Sequence, residues 1–171
     1  MREASLKCAS LAQSVEHAAV LTDHNFDETH MNSKQIGNIT EMQVMLKFLQ
    51  LGYNVLTPYG DCERYDFVAD INKKFYRIQV KTSKLSEDKT KFTFQTASTH
   101  YSDGKCVHST YTKEDIDFFA TVNDNQVYLI PVEEGASREK SLRLLPTSNG
   151  QTRGVTWAKD YILEEVVKRL C

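Results

Sequence analysis

Residues 64–82 read RYDFVADINKKFYRIQVKT, and this stretch decides the architecture. Two runs rich in β-branched and aromatic residues, 64–71 and 75–82, flank the polar pair Asn72-Lys73, which predicts two strands joined by a tight turn. Side chains alternate along a strand, so Phe75, Arg77, Gln79 and Lys81 point to one face and Tyr76, Ile78, Val80 and Thr82 to the other. One face is apolar, and the other becomes polar toward the strand's end. A solvated face accounts for that alternation by itself, but the preceding run adds a constraint. A turn centred on Asn72-Lys73 pairs Ile71 with Lys74 and, counting back, sets Asp66 opposite Gln79. Directly opposed residues share a face, with Cβ atoms about 4.5–5.5 Å apart. Asp66, Gln79 and Lys81 therefore converge without any further assumption about the fold. Asn-Lys is a weaker hairpin signal than Asn-Gly.

Outward from this hairpin, the chain from Asn32 reads as one unit. Asn32 or Ser33 caps a helix running to about Leu51 and stopped by Gly52. Ile36, Ile39, Met42, Met45, Leu46 and Leu49 recur along it at helical spacing. Gly37 lies one turn before Glu41 on the same side. A glycine there costs roughly 1 kcal/mol relative to alanine, which suggests that something approaches closely beside Glu41. Further strands are expected at 53–57, 92–97, 118–122 and 127–132, with a loop or short hairpin at 101–111, a tight turn at 123–125 and an amphipathic helix at 161–170. A helix, a run of adjacent strands and a terminal helix argue for an α/β fold, a mixed sheet with helical cover.

With 171 residues, 40% hydrophobic and 26% charged, the chain has the composition of an ordinary globular domain. No apolar run approaches the roughly 18 residues of a membrane span, and the N-terminus lacks the pattern of a secretory signal. Cys8, Cys62, Cys106 and Cys171 are scattered. Cys106 and His108 have no second pair at zinc-ligand spacing, so reduced thiols in a cytoplasmic protein are the simpler reading. The net charge of −2 excludes a broadly basic nucleic-acid binder, yet its distribution is uneven. Between Ile71 and Lys91, seven basic residues (Lys73, Lys74, Arg77, Lys81, Lys84, Lys89 and Lys91) face only Glu87 and Asp88, a net of +5. That is either a solvated charged hairpin or a DNA face.

Residues 1–30 differ from the remainder: they net −3 and are followed by a second methionine, Met31. Reverse translation of Ala12–His17 permits GCT CAG TCG GTA GAG CAT, in which GCTC and GAGC are base-pairing complements around a short loop. That string resembles the D-arm of a bacterial tRNA gene, and a plain N-terminal helix is the alternative. Group I introns interrupt tRNA genes, so the leader is expected to be a loosely ordered remnant of exon reading, with Met31 as functional start. Deleting residues 1–30 should then leave the rest folded.

An Asp, a second oxygen-bearing side chain and a Lys at the spacing of Asp66, Gln79 and Lys81 suit phosphodiester cleavage. Hard oxygen ligands hold Mg²⁺ while leaving positions for water and phosphate, and the cation lowers the pKa of a water and neutralises charge at phosphorus. Lys81 can orient or deprotonate that water, or stabilise the phosphorane. Glu41 either completes the outer metal sphere or is a solvent-facing helix residue.

At these residues the sequence resembles the PD-(D/E)XK nuclease superfamily, and within it the endonucleases associated with bacterial group I introns. The resemblance runs from Met31 to about Leu163 and is carried by the ordered G-D-x-x-R-Y-D and R-I-Q-V-K-T blocks, by VYLIPV and by LRLLPTSNGQTRGVTWAKDY. It implies a restriction-endonuclease-like core, a mixed β-sheet flanked by helices, over residues 31–171. It also implies Glu41, Asp66, Gln79 and Lys81 as catalytic residues, with Asp66, Gln79 and the Val80 backbone carbonyl as metal ligands and Glu41 in the outer sphere. Mn²⁺ is expected to substitute for Mg²⁺. Gln79 departs from the usual Asp or Glu: an amide oxygen coordinates but brings no charge, so metal affinity should fall.

Arg64, Lys73, Lys74, Lys84, Lys89 and Lys91 are the candidate contacts to double-stranded DNA, with salt-sensitive binding. Arg64 has alternative partners in Glu63 and Asp61. Cutting both strands usually needs two sites, so a dimer or tetramer is expected. The competing readings are a Holliday-junction resolvase or restriction-type nuclease on the same fold, and a DNA-binding module that does not cut.

Overall fold

The first described helix, α1 (Ser33–Gln50), ends in a Schellman motif. The Tyr53 amide donates to the Phe48 carbonyl (3.0 Å) and Gly52 to Leu49 (2.9 Å), with Gly52 at φ +84°, where a side chain would be strained. The computed structural model describes residues 31–60, 62–102, 104–135, 138–148 and 150–170. The acidic leader and the expectations attached to it lie outside the described residues.

The core side of α1 is not the stripe that the hydrophobic spacing suggests. Thr40, Val44 and Phe48, one turn apart, are buried, whereas Met42, Leu46 and Leu49 are 63%, 54% and 55% exposed. Thr40 tolerates burial because its hydroxyl donates to the Ile36 carbonyl one turn back (2.9 Å). At Gly37, apart from its chain neighbours and its own helix backbone, no described atom lies within 4 Å of where a Cβ would sit, so no other element of the chain supplies the close approach.

After the short strand β1 (Asn54–Leu56) comes the hairpin β2 (Phe67–Ile71) and β3 (Lys74–Val80). Asn72 and Lys73 both adopt positive φ (54° and 66°), as a two-residue hairpin turn requires. Ile71 pairs with Lys74 and Phe67 with Ile78, the expected register. β2 begins at Phe67 rather than Arg64, because the Val80 amide turns to the Asp66 side chain in place of a backbone carbonyl. β3 ends at Val80 rather than Thr82. Beyond it lie β4 (Ser83–Leu85), β5 (Lys91–Gln95), β6 (Ala97–Ser102) and β7 (Lys105–Thr110), so the strand expected at 92–97 breaks at Thr96. β8 (Phe118–Asn123) and β9 (Gln126–Pro131) form a second tight hairpin over Asp124 and Asn125, and β10 (Glu139–Arg143) precedes helix α2 (Leu163–Leu170).

The main sheet has the order β1-β2-β3-β8-β9, mixed because β3 and β8 run parallel and the other neighbours antiparallel. α1 and α2 bring Val44, Phe48, Leu163, Val166 and Val167 against Phe67, Ala69, Ile78, Ala120 and Leu129 on one face. The opposite face is covered by a second sheet rather than by helices. Its strands, in the order β10-β5-β4, set Phe92, Phe94 and Leu142 against Phe119, Tyr128 and Ile130. β8 thus alternates between two cores, Phe118 and Ala120 into one and Phe119 into the other, which is why it reads as a continuous apolar run. Among the described residues, β6 and β7 pair only with each other, as a two-stranded ribbon. No helix among the described residues is long and apolar enough to cross a membrane.

Candidate active site

The polar end of β3 is buried, not solvated. Because β3 is flanked by β2 and β8, Gln79 is only 8% exposed. A buried amide needs partners, and it finds two: Gln79 Nε2 donates to Asp66 Oδ2 (2.5 Å) and to the Val80 carbonyl (3.2 Å). Asp66 Oδ2 also accepts the Val80 amide (2.5 Å), so carboxylate, amide and backbone carbonyl form one cluster across the β2–β3 hairpin. The Asp66 backbone amide is itself fixed to the Ile78 carbonyl (2.9 Å), which prevents the loop before it from sliding.

Burial pushes the Asp66 carboxyl above the ordinary carboxylate range, and the Val80 amide, the nearby Lys81 ammonium and Gln79 only partly offset that. Glu41 on α1 is raised too, by burial first and by the negative charge of Asp66 second. The Asp66 carboxylate therefore sits close enough to Glu41, on a separate element, to oppose its ionisation. A divalent cation relieves such a conflict, and the donor types present (carboxylate, side-chain amide, backbone carbonyl) are the hard oxygen ligands that Mg²⁺ and Mn²⁺ take. An amide can offer either end, so Gln79 can donate to Asp66 in the absence of a cation and present its oxygen in the presence of one. The residues fit the implied metal.

Lys81 follows at the end of β3, its backbone amide held by the Ala120 carbonyl of β8 (2.9 Å). Its ammonium donates to the Tyr111 hydroxyl (3.2 Å). Arg64 stands beside it and pairs with Asp115 rather than with Glu63, while the alternative partner Asp61 lies outside the described residues. Its Nη1 lies 3.4 Å from Asp115 Oδ2, its Nη2 donates to the Thr110 carbonyl (3.0 Å), and its guanidinium carbon lies 4.5 Å from the centre of the Tyr111 ring. The structure thus brings together Asp66, Gln79, Val80, Lys81, Glu41 and Arg64.

It does not bring all of the candidate DNA contacts to this place. Lys73 and Lys74 occupy the turn at the opposite end of β3, six residues or about 20 Å from Val80 at strand rise. Lys84 is in β4, three residues beyond Lys81, while Lys89 and Lys91 lie at the far turn of the β4–β5 hairpin. Tyr65, beside Arg64, is partly buried against the second core.

Tyr111 and Asp115 are absent from the residues that the sequence suggests. One signal was available: Thr112-x-x-Asp115 matches a capping pattern. Asp115 Oδ2 accepts both the Thr112 amide (2.9 Å) and hydroxyl (3.0 Å), closing a turn that leaves the same oxygen facing Arg64. Nothing local, however, indicates that Tyr111 meets Lys81, thirty residues away in sequence.

The model of one protein family, PD-(D/E)XK endonuclease, matches residues 31–164. Protein 5.3 of Escherichia phage T7 is 31% identical over 105 residues, covering 61% of this chain and 85% of that protein. Among solved structures, the bacterial homing endonuclease I-Ssp6803I superposes with a TM-score of 0.66 at 24% identity, over 81% of this chain and 95% of that one.

Proposed function

The chain belongs to the PD-(D/E)XK endonuclease family, and from that premise we propose that it is a Mg²⁺-dependent, sequence-specific homing endonuclease of the group I intron type. Its substrate in this reading is double-stranded DNA carrying an intronless tRNA gene, met in the cytoplasm. Mn²⁺ substitutes for Mg²⁺, and the active form is a dimer or tetramer, because each strand needs its own site. Met31 is its functional start.

The observation that carries the reading is the cluster at the end of β3, where Asp66, Gln79 and the Val80 carbonyl meet with Lys81 alongside. Asp66, the Gln79 oxygen and the Val80 carbonyl would hold the metal, with Glu41 in its outer sphere. The bound cation supplies a water of lowered pKa and neutralises charge at phosphorus. The Lys81 ammonium orients the attacking water and balances the negative charge that grows on the phosphoryl oxygens. The Arg64 guanidinium, fixed by Asp115 and Thr110, offers its remaining donors to the substrate backbone. Lys84, Lys89 and Lys91 extend the basic surface along the β4–β5 hairpin.

The test is incubation of the protein with a plasmid carrying the intronless tRNA gene, with and without Mg²⁺. Mg²⁺-dependent cutting at one position, lost in Asp66→Ala and in Lys81→Ala, supports the reading. Full activity of Asp66→Ala refutes the site. Tight binding without cutting, in Mn²⁺ as well, favours a non-cleaving module and makes the neutral Gln79 its cause. Cutting of four-way junctions alone favours a resolvase.

A further inference from the structure

We propose that Tyr111 is a positioning residue of the cleavage reaction: its hydroxyl sets the Lys81 ammonium and its ring sets the Arg64 guanidinium. The inference rests on the nuclease reading of this site and goes beyond it to a residue outside the catalytic cluster.

Three contacts carry the argument. Lys81 Nζ donates to the Tyr111 hydroxyl at 3.2 Å and lies 5.1 Å from the ring centre, so the ammonium is held near the phenol's oxygen edge. Arg64 Cζ sits over the ring at 4.5 Å, within the range of a cation–π contact. The ring is itself held by Phe119, edge-on at 5.4 Å, and Phe119 is only 1% exposed. A lysine side chain has four rotatable carbons and reaches many positions. One hydrogen bond to a ring wedged on the second core reduces that freedom before substrate arrives. The same ring keeps Arg64 from approaching Lys81 at random, since both cations take places on one aromatic surface instead of repelling each other into solvent.

The location of Tyr111 has a consequence. It follows directly on β7, and the Thr110 carbonyl that ends the β6–β7 ribbon is the one that accepts Arg64. Thr110 and Tyr111 thus tie Arg64 and Lys81 to the base of that ribbon.

The test uses the full chain and the duplex that wild type cuts. Cleavage kinetics are measured in Mg²⁺, DNA affinity in Ca²⁺, and thermal stability separately. Tyr111→Phe removes the hydroxyl and keeps the ring. It should lower kcat about tenfold, equivalent to ~1.4 kcal/mol, with KM, DNA affinity and Tm unchanged. Tyr111→Leu removes both functions and should lose kcat to the same degree and DNA affinity as well, with a shallower salt dependence as Arg64 loses its platform. Tyr111→Phe at wild-type kcat overturns the proposal, as does a kcat loss that only tracks a fall in Tm. Tyr111→Leu binding DNA as wild type does overturns the role assigned to the ring. A wild-type protein that cuts no DNA removes the nuclease reading, and this inference with it, which separates the two failures.

Discussion

Replacing Gln79 by glutamate is the most demanding test of the geometry, because the family's usual residue should be harmful here without metal. The Gln79 amide nitrogen lies 2.5 Å from Asp66 Oδ2 and 3.2 Å from the Val80 carbonyl, and the side chain is 8% exposed. Gln79→Glu turns a donor into an acceptor and sets a second negative charge against Asp66. Two charges about 4 Å apart repel by about 4 kcal/mol at an effective dielectric of about 20. The pair escapes by sharing a proton, which costs about 1.4 kcal/mol for each pH unit above an ordinary glutamate pKa of about 4.3. At about pH 5 that escape costs only about 1 kcal/mol, whereas near pH 8 it costs about 5, so repulsion sets the limit. The sign follows from linkage. A carboxyl pair whose folded pKa is raised contributes most to stability below the unfolded pKa and loses it as pH rises through the folded one. Thermal denaturation in EDTA should therefore show a penalty of roughly 3–4 °C at about pH 5 and roughly 12–16 °C near pH 8, at about 3–4 °C per kcal/mol. Mg²⁺ should return most of the loss and raise the Tm of Gln79→Glu by more than it raises that of wild type, while some cleavage remains. A variant in EDTA near pH 8 within about 1 kcal/mol of wild type would mean that residue 79 does not face Asp66, and the site would have to be redrawn.

Phe48→Ala should cost about 3–5 kcal/mol in chemical denaturation, since Phe48 is fully buried against Tyr53 and Phe67 and seats α1 on the main sheet. A loss below about 1 kcal/mol would contradict that packing. On DNA, Lys84→Ala should weaken binding and reduce the salt slope by about one. The double change Lys73→Ala with Lys74→Ala, at the distal turn, should move both far less, as read by fluorescence anisotropy across a salt series.

How far the sequence could be read depends on the span over which each contact forms. The Asp66–Gln79 pairing was legible because it is local: alternation and a two-residue turn determine it once Ile71 meets Lys74. The position of β3 in the middle of the sheet was not, because it depends on the parallel pairing with β8 some forty residues on. A solvated polar face and a buried, hydrogen-bonded one give the same pattern of letters. β4 and β10 escaped for a different reason. Apart from the buried Leu142, their residues are polar or partly exposed and form strands mainly by pairing with β5, so propensity carries little of the signal.

The helix that carries Glu41 shows the same limit in a sharper form. Periodicity picks out Ile36, Ile39, Met42, Met45, Leu46 and Leu49, yet three of these six are largely exposed and the fully buried line is Thr40, Val44 and Phe48. Both lines repeat every three or four residues, so the period alone cannot choose between them. Thr40 decides against the buried line when it is counted as polar. Its hydroxyl is nevertheless satisfied inside the helix by Ile36, and it comes within 3.4 Å of the Thr82 hydroxyl just past β3. That choice of face is what turns Glu41 toward the end of β3. Had the apolar stripe faced the sheet, Glu41 would have been carried away from the end of β3. The charge of Asp66, one of the two causes that raise the Glu41 carboxyl, would then not reach it. The placement of a candidate catalytic residue therefore depends on one buried threonine whose polarity the helix itself neutralises.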